Sequence, residues 1–256
     1  MNRTKEYDFT IVVPVYNEED NLDRVEKELA GYLAECTLKA CVLLVNDGST
    51  DGSLGKIKDI CSRRQHFFYI SSNRNHGLST ALKAGIDTAE SRYTGYIDSD
   101  LQTAPEDFNL LLAHIGDHDL VTGIRAKRKD SALKKLQSKI ANGFRRAMTG
   151  DTATDTGCPL KVMRSDMAKR IPFFDGMHRF LPALFALEGG RFMELPVRHF
   201  PRTAGASKYH LWNRLAGPLV DCFAYRWMKA RYIRYDITDE SVKLKQGNSQ
   251  LPTPNS

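Results

Sequence analysis

Four short apolar runs lie in the first hundred residues, with polar turns and helical patterns between them. The runs cover residues 11–13, 41–45, 67–70 and 93–97. Continuous apolar runs of this length are typical of strands that are buried on both faces. Pro14 is expected to end the first strand, and Asn17 to cap the helix that follows. The alternation predicts an α/β fold with a doubly wound, mostly parallel sheet.

Acidic side chains follow three of these runs. Glu18 follows the first, Asp47 the second, and Asp98 and Asp100 the fourth. The carboxyl ends of parallel strands meet at one edge of a sheet, where open α/β sheets bind ligands. Asp98, Asp100 and Gln102 alternate along the chain, and Mg²⁺ takes one or two carboxylates together with substrate phosphates. This pattern favours a nucleotide and metal site over the alternative, a set of solvated turn acids.

Charge and composition narrow the class of protein. The chain has 256 residues, a net charge of +6 and a pI of about 9.0, which indicate an anionic partner. No N-terminal signal and no apolar run long enough for a transmembrane helix is expected. The five cysteines show no paired spacing, which predicts free thiols in a reducing compartment and no zinc site.

Four sequence blocks occur in a fixed order within residues 8–108. They are IVVPVYNEEDNL (11–22), VNDGSTDGS (45–53), NHGLSTALKAG (75–85) and YIDSDLQTAPED (96–107). Together they resemble the family-2 glycosyltransferases, which have the GT-A fold. The resemblance implies a nucleotide-sugar donor and Mg²⁺ or Mn²⁺ as cofactor.

The resemblance also assigns roles to individual residues. The implied metal ligands are Asp98, Asp100 and Gln102. The implied nucleotide-sugar site consists of Pro14, Tyr16, Glu18, Val45, Asp47, Asp98, Ser99, Asp100, Arg125, Arg202 and Lys208. Many family members carry two acids at the end of the second strand where this chain has Asn46 and Asp47, so the role of position 46 is left open.

Basic residues crowd the segment 124–146, which holds nine cations and one acid. This segment is either a phosphate-collecting face, with Arg125 near the diphosphate, or a solvated basic helix. Asp155 follows it. Asp155 is a candidate general base, a group that orients the sugar or acceptor, or a turn cap. His178 and Arg179 begin a further helix, where they would meet a sugar or phosphate or pack locally.

The segment from Arg202 to Tyr209 has the spacing R-x-x-G-x-S-K-Y. It resembles the motif of dolichyl-phosphate and undecaprenyl-phosphate sugar transferases. By this resemblance Arg202 and Lys208 bind the diphosphate and the acceptor phosphate. Arginine and lysine suit phosphate oxygens as a forked and a point donor.

Three regions are predicted along the chain: a catalytic domain over 1–208, amphipathic helices over 209–235, and a disordered tail over 236–256. The helices carry apolar, aromatic and basic residues, and Pro218 is expected to break them. This composition suits an anionic membrane surface. The alternative is a helix packed on the sheet domain.

The predicted function is inverting transfer of a hexose from a donor of the GDP-mannose or UDP-glucose type to a polyprenyl phosphate at the cytoplasmic membrane face. Asp98, Asp100, Asp155 and Arg125 are the predicted catalytic residues. The alternative is a family-2 enzyme that acts on a sugar hydroxyl, which requires Asp155 as a true base. A nucleic-acid-binding module is disfavoured, because the chain has no recognised motif for it. The oligomeric state is left open.

Overall fold

A computed structural model describes residues 3–125, 142–201 and 216–233. These residues form one seven-stranded sheet with the order β3-β2-β1-β4-β6-β5-β7. The strands are β1 Phe9–Val15, β2 Ala40–Asn46, β3 Phe67–Ser71, β4 Tyr93–Tyr96, β5 Leu120–Arg125, β6 Lys161–Arg164 and β7 Phe192–Val197. The predicted α/β class and mostly parallel sheet are confirmed.

One strand departs from the parallel pattern. β6 runs antiparallel to both of its neighbours, β4 and β5, whereas all other pairs are parallel. As a result, the beginning of β6 lies at the same edge of the sheet as the carboxyl ends of β4 and β5. The sequence analysis did not predict β6, which is only four residues long.

Helices cover both faces of the sheet. They are α1 Leu22–Glu35, α2 Ser53–Arg63, α3 Leu78–Thr88, α4 Asp107–Leu112, α5 142–149, α6 Ser165–Arg170, α7 Leu181–Leu187 and α8 Ala216–Arg231. Short 3₁₀ turns occur at Arg3–Glu6, Glu19–Asn21 and Met177–Arg179. One buried cluster joins the sheet to α1, α2 and α4, and a second joins it to α3, α6, α7 and α8. The doubly wound arrangement follows from these two apolar layers.

One local prediction about a proline is wrong. β1 continues through Pro14, which pairs with Val45 of β2. Its missing N–H faces the side of β4, where the ladder has already ended at Val12 and Tyr96, so no bond is lost. Pro218 lies in the first turn of α8, where a backbone N–H needs no partner. The predicted break between two helices is not tested, because residues 202–215 lie outside the described ranges.

The predicted cap at Asn17 is also wrong. α1 begins at Leu22, after the 3₁₀ turn Glu19–Asn21. Asn17 instead has a left-handed backbone, with φ of 51°, and its side chain bonds to the loop that follows β2. The fixed loop therefore orders the chain between β1 and α1.

α8 packs on the sheet domain through one face. Cys222 and Tyr225 are buried in the second cluster, and the Tyr225 hydroxyl donates to the carbonyl of Ala183 at 3.0 Å. This face of α8 therefore agrees with the alternative interpretation of the sequence, a helix packed on the sheet domain. No helix in the described ranges has the length and hydropathy needed to cross a membrane. The segments 126–141, 202–215 and 234–256, which include Arg202 and Lys208, lie outside the described residues.

We expect Gly85→Ala to lower the free energy of unfolding by about 1–3 kcal/mol, the usual cost of overpacking a core. Gly85 of α3 packs directly on the sheet, and a Cβ there would lie 2.4 Å from Cγ1 of Val12. Urea unfolding followed by circular dichroism measures the change.

Gly31→Ala in α1 is the matched control, since nothing lies within 4 Å of the added Cβ. It should raise the free energy of unfolding by about 0.5–1 kcal/mol, because alanine is the better helix former. Equal effects at the two positions would contradict the close approach of α3 to the sheet.

Candidate active site

The carboxyl ends of β1, β2 and β4 lie side by side. Val15 pairs with Asn46, and the Ile97 N–H donates to the Val12 carbonyl at 3.3 Å. The residues that follow these strands therefore meet at one edge of the sheet, as the acids in the sequence predicted. Arg125 at the end of β5 and Lys161 at the start of β6 lie at the same edge.

The loops after β1 and β2 are bonded to each other. The Asn17 N–H donates to the Ser49 hydroxyl at 3.0 Å, and the Asn17 side-chain oxygen accepts from the Thr50 N–H at 2.8 Å. The Glu18 N–H donates to the Ser53 hydroxyl at 3.0 Å. These bonds hold the half-buried side chains of Tyr16 and Glu18 beside the end of β2.

Asp47 is buried, and its carboxylate fixes the turn before α3. One oxygen accepts from the His76 N–H at 2.9 Å and the other from the Gly77 N–H at 2.8 Å. Each oxygen keeps a second lone pair for a ligand. Val45, in contrast, is buried in the second core cluster, so its side chain packs under the site.

The role of position 46, which the sequence left open, follows from the hydrogen bonds of Asn46. Its amide nitrogen donates to the Ser71 hydroxyl at 2.8 Å, and its oxygen accepts from the Ser49 N–H at 3.2 Å. An ionised aspartate has no donor, so at this position it would depend on the Ser71 hydroxyl to donate in place of the amide. Asn46 therefore holds β3 and the loop after β2 together.

The turn that carries Asp98 and Asp100 has a strained backbone. Leu101 lies between Asp100 and Gln102 with φ of 44°, a conformation that bulky residues rarely adopt. Arg24 of α1 donates to the Leu101 carbonyl at 3.2 Å and to the Asp100 carbonyl at 3.4 Å. Strain of this kind persists only where the surrounding structure holds it in place, and it is common at functional sites.

The side chains of this turn are ordered by their neighbours. The Tyr96 hydroxyl donates to Asp98 at 2.6 Å, and the Gln102 N–H donates to Asp100 at 3.3 Å. Ser99 and Asp100 are mostly buried, whereas Asp98 and Gln102 are half-buried. Asp98, Asp100 and Gln102 therefore lie together in one turn at this edge of the sheet, and the Gln102 amide nitrogen donates to the Phe200 carbonyl at 3.4 Å.

These donors suit a hard divalent cation. Two carboxylates and one amide oxygen are the kind of set that Mg²⁺ or Mn²⁺ uses when substrate phosphates complete the shell. Within the described part of the chain, no group of three or more His, Cys, Asp or Glu side chains is arranged to hold a metal alone.

Arg125 and Asp155 form a two-pronged ion pair. The Arg125 side chain donates from Nε at 2.9 Å and from Nη2 at 2.7 Å, and its backbone N–H donates at 3.0 Å. Burial alone would raise the pKa of Asp155, but the hydrogen bonds and charge of Arg125 outweigh burial and hold it below the ordinary value. Asp155 is therefore a stable carboxylate and a weak proton acceptor.

Sequence reasoning missed two residues that fix the loop around Asp155. Glu194 of β7 accepts from the N–H groups of Thr154 and Asp155. Lys161 is buried, and its amine donates to the Thr122 hydroxyl at 3.2 Å and to carbonyls of the loop. Burial lowers the pKa of Lys161, while neighbouring carboxyl groups raise it. The periodicity of a four-residue strand gives no signal for such a lysine.

We expect Asp155→Asn to lower the free energy of unfolding by about 3 kcal/mol at pH 7, because it leaves a mostly buried guanidinium without its partner. A carboxyl whose pKa is lower in the folded state stabilises the fold above its ordinary pKa. That contribution is lost as the pH falls through the folded value. Denaturation at several pH values should therefore show the wild-type advantage at pH 7 and its loss below about pH 4.

The exposed Asp117 supplies the control, and Asp117→Asn should change stability by less than about 0.5 kcal/mol. A difference between wild type and Asp155→Asn that stays constant from pH 7 to pH 3 would argue against the pair.

Comparison with known proteins identifies the family. Residues 10–171 match the model of the glycosyl transferase family 2. The chain is 34% identical over 208 residues to the dodecaprenyl-phosphate galacturonate synthase of Rhizobium johnstonii, covering 79% of this chain and 62% of that protein. It is 31% identical over 225 residues to the undecaprenyl-phosphate 4-deoxy-4-formamido-L-arabinose transferase of Edwardsiella ictaluri, covering 86% and 69%. The chain thus spans about two thirds of the length of these relatives.

A solved structure supports the fold. The mannosyltransferase of Pyrobaculum calidifontis, in complex with GDP-Man and Mn²⁺, has a TM-score of 0.59 to this chain at 20% identity, covering 90% of this chain and 65% of that one. The sheet order and the family match agree with the expectation from the four sequence blocks. This chain belongs to family 2 of the glycosyl transferases and has the GT-A fold.

Proposed function

We propose that this chain transfers a sugar from a nucleotide-sugar donor to a polyprenyl phosphate, with inversion at the anomeric carbon. The two relatives are named for sugar transfer to dodecaprenyl and undecaprenyl phosphate, and this shared acceptor class supports the proposal. Their sugars differ, a galacturonate in one and a formamido-arabinose in the other. The transferred sugar and the base, of the GDP-mannose or UDP-glucose type or another, are therefore left to experiment.

In this proposal the donor lies along the edge of the sheet. The nucleoside occupies the loops after β1 and β2, beside Tyr16, Glu18 and Asp47, with Pro14 and Val45 beneath it. The diphosphate lies over Asp98, Ser99 and Asp100, and Gln102 contributes its amide oxygen. A bound Mg²⁺ or Mn²⁺ would neutralise the charge of the departing nucleoside diphosphate. Arg202 and Lys208 are proposed to reach the same phosphates and the acceptor.

The observation that carries the choice of acceptor is the ion pair of Asp155 with Arg125. A sugar hydroxyl must lose a proton during attack, so it needs a base whose pKa lies near the working pH. The pKa of Asp155 is instead lowered by Arg125, and both of its oxygens accept from that side chain. A phosphate monoester is already ionised and needs no base. The pair therefore favours a phosphate acceptor over the hydroxyl-acceptor alternative.

In this proposal Asp155 orients the Arg125 guanidinium, and Arg125 neutralises charge on the departing diphosphate. The carboxylate holds the guanidinium at the carboxyl end of β5, where its positive charge faces the edge that carries Asp98. A fixed cation beside the departing diphosphate lowers the energy of the charge that develops there.

We propose further that α8 rests on an anionic membrane surface. The face of α8 turned away from the core carries Leu219, Val220, Phe223 and Trp227, which are 47%, 66%, 60% and 62% exposed. Phe144 of α5 contacts Phe223, with ring centroids 6.3 Å apart.

Cations border this apolar face. Arg226 and Lys229 are exposed, and Arg231 lies over the Trp227 ring at 5.3 Å. Apolar and aromatic side chains beside basic ones suit the interface of an anionic bilayer. A lipid-linked acceptor would be met there, at the cytoplasmic face of the membrane.

The first experiment uses purified protein, Mn²⁺, a panel of UDP- and GDP-linked sugars, and undecaprenyl phosphate in liposomes. Release of nucleoside diphosphate and formation of a glycolipid are followed together. We expect a glycolipid with one donor or a narrow set of donors, and Asp100→Asn should lower its rate by at least about a hundredfold with a native circular dichroism spectrum.

Two results would count against the proposal. Full activity of a folded Asp100→Asn variant would remove the metal-site assignment. Donor turnover with a saccharide acceptor but no turnover with the lipid would instead favour the alternative function, transfer to a sugar hydroxyl.

The membrane face is tested by sedimentation with vesicles that contain phosphatidylglycerol. We expect Phe223→Ser with Trp227→Ser to weaken binding at least tenfold, since each aromatic side chain contributes about 1–3 kcal/mol when it leaves water. Leu110→Ser is the control, because Leu110 is similarly exposed on α4. An equal loss in both variants, or no loss in the double variant, would exclude this face.

A further inference from the structure

His178 lies in the 3₁₀ turn Met177–Arg179, which packs against the start of α3. Its Nδ1 atom is 2.8 Å from the Ser79 hydroxyl. Ser79 follows Gly77 by two residues, and the Gly77 N–H is bonded to the Asp47 carboxylate at 2.8 Å. His178 is therefore connected, through α3, to the turn that closes the proposed nucleoside site.

The hydrogen bonds of Ser79 determine which nitrogen of His178 carries the proton. Ser79 is buried and accepts from the Gly176 N–H at 3.1 Å. Its hydroxyl hydrogen needs an acceptor, and Nδ1 of His178 is the one it meets among the described residues. Nδ1 therefore accepts, and the proton of the neutral ring lies on Nε2.

The ring stays neutral near pH 7. Burial lowers the pKa of His178 to about 3, and the positive charges of Arg179 and Lys161 contribute in the same direction. Nε2–H is thus a neutral donor in a fixed direction. In the described part of the chain it has no protein acceptor, and it is not among the fully buried atoms that lack a partner, so it keeps some exposure to solvent.

The position of the ring indicates which part of the donor it meets. Lys161, whose charge acts on His178, begins β6, on the far side of β4 from β1 and β2. If the nucleoside lies at β1 and β2 and the diphosphate at β4, the sugar extends toward β6. A neutral N–H donor suits the oxygen of a hydroxyl group, whereas phosphates are better bound by cations.

We propose that Nε2 of His178 donates a hydrogen bond to a hydroxyl oxygen of the sugar that is transferred, and that this bond contributes to the choice of donor sugar. This inference rests on the proposed function, since it requires a nucleotide sugar in the site. Ser79 is a positioning residue for it, because it fixes the tautomer and the ring plane.

The test compares binding of the sugar-bearing donor with binding of the nucleoside diphosphate alone. Calorimetric titrations with Mn²⁺ use UDP, GDP and a panel of UDP- and GDP-linked sugars. We expect His178→Leu to weaken the nucleotide sugar about tenfold and to leave the nucleoside diphosphate unchanged, as the loss of one neutral hydrogen bond implies. His178→Gln retains an N–H donor and should lose less.

Donors that lack single hydroxyl groups locate the bond. For one deoxy-sugar donor, wild type and His178→Leu should bind equally, because the acceptor oxygen is already absent. His118→Leu is the matched control, since His118 precedes β5 at the opposite edge of the sheet, and it should bind every probe as wild type does.

The outcomes separate this inference from the proposed function. If wild type binds no nucleotide sugar, the proposed function fails and this inference fails with it. If wild type binds one and His178→Leu binds it equally, this inference alone fails. Equal weakening of the nucleotide sugar and the nucleoside diphosphate would show a structural role and would also overturn it.

Discussion

The ion pair of Arg125 with Asp155 joins parts of the chain that the sheet alone would leave independent. It ties the end of β5 to the loop before β6, while Glu194 ties that loop to β7 and Lys161 ties it to the sheet from below. Because Arg125, Asp155 and Lys161 are largely buried, removing one of them leaves its partners costly to keep. The arrangement is therefore fixed as a unit, and the chemistry available to Asp155 is fixed with it.

A short antiparallel strand makes this unit possible. β6 enters the sheet from the site edge, so its first residue, Lys161, lies beside the carboxyl ends of β4 and β5. If β6 were parallel to its neighbours, the position of Lys161 would be occupied by the last residue of the strand, which would be followed by a loop. Reversal of one strand thus places a buried lysine under the acids that the other strands deliver.

The sequence predicted the part of the molecule that depends on local pattern. Apolar runs separated by helical spacing identified β1 to β4, and the position of Asp47, Asp98 and Asp100 after those runs predicted that these acids share one edge of the sheet. Partners distant in sequence were not predicted, because pattern carries no information on them. Arg125 with Asp155 and Ser79 with His178 are such pairs, separated by 30 and 99 positions. The two faces of α8 also escaped prediction, since both carry apolar residues and the tertiary structure decides which one is covered.

The backbone at Leu101 has a consequence for how this site tolerates change. Its positive φ would suit glycine, yet the leucine side chain is buried in the cluster that includes Phe108 and the first residues of α1. The burial of the Leu101 side chain therefore outweighs the cost of its strained backbone torsion. The position of the Asp98 and Asp100 carboxylates therefore depends on core packing around Leu101. A substitution that loosened the packing around Phe108 would shift Asp100 although Asp100 itself is unchanged.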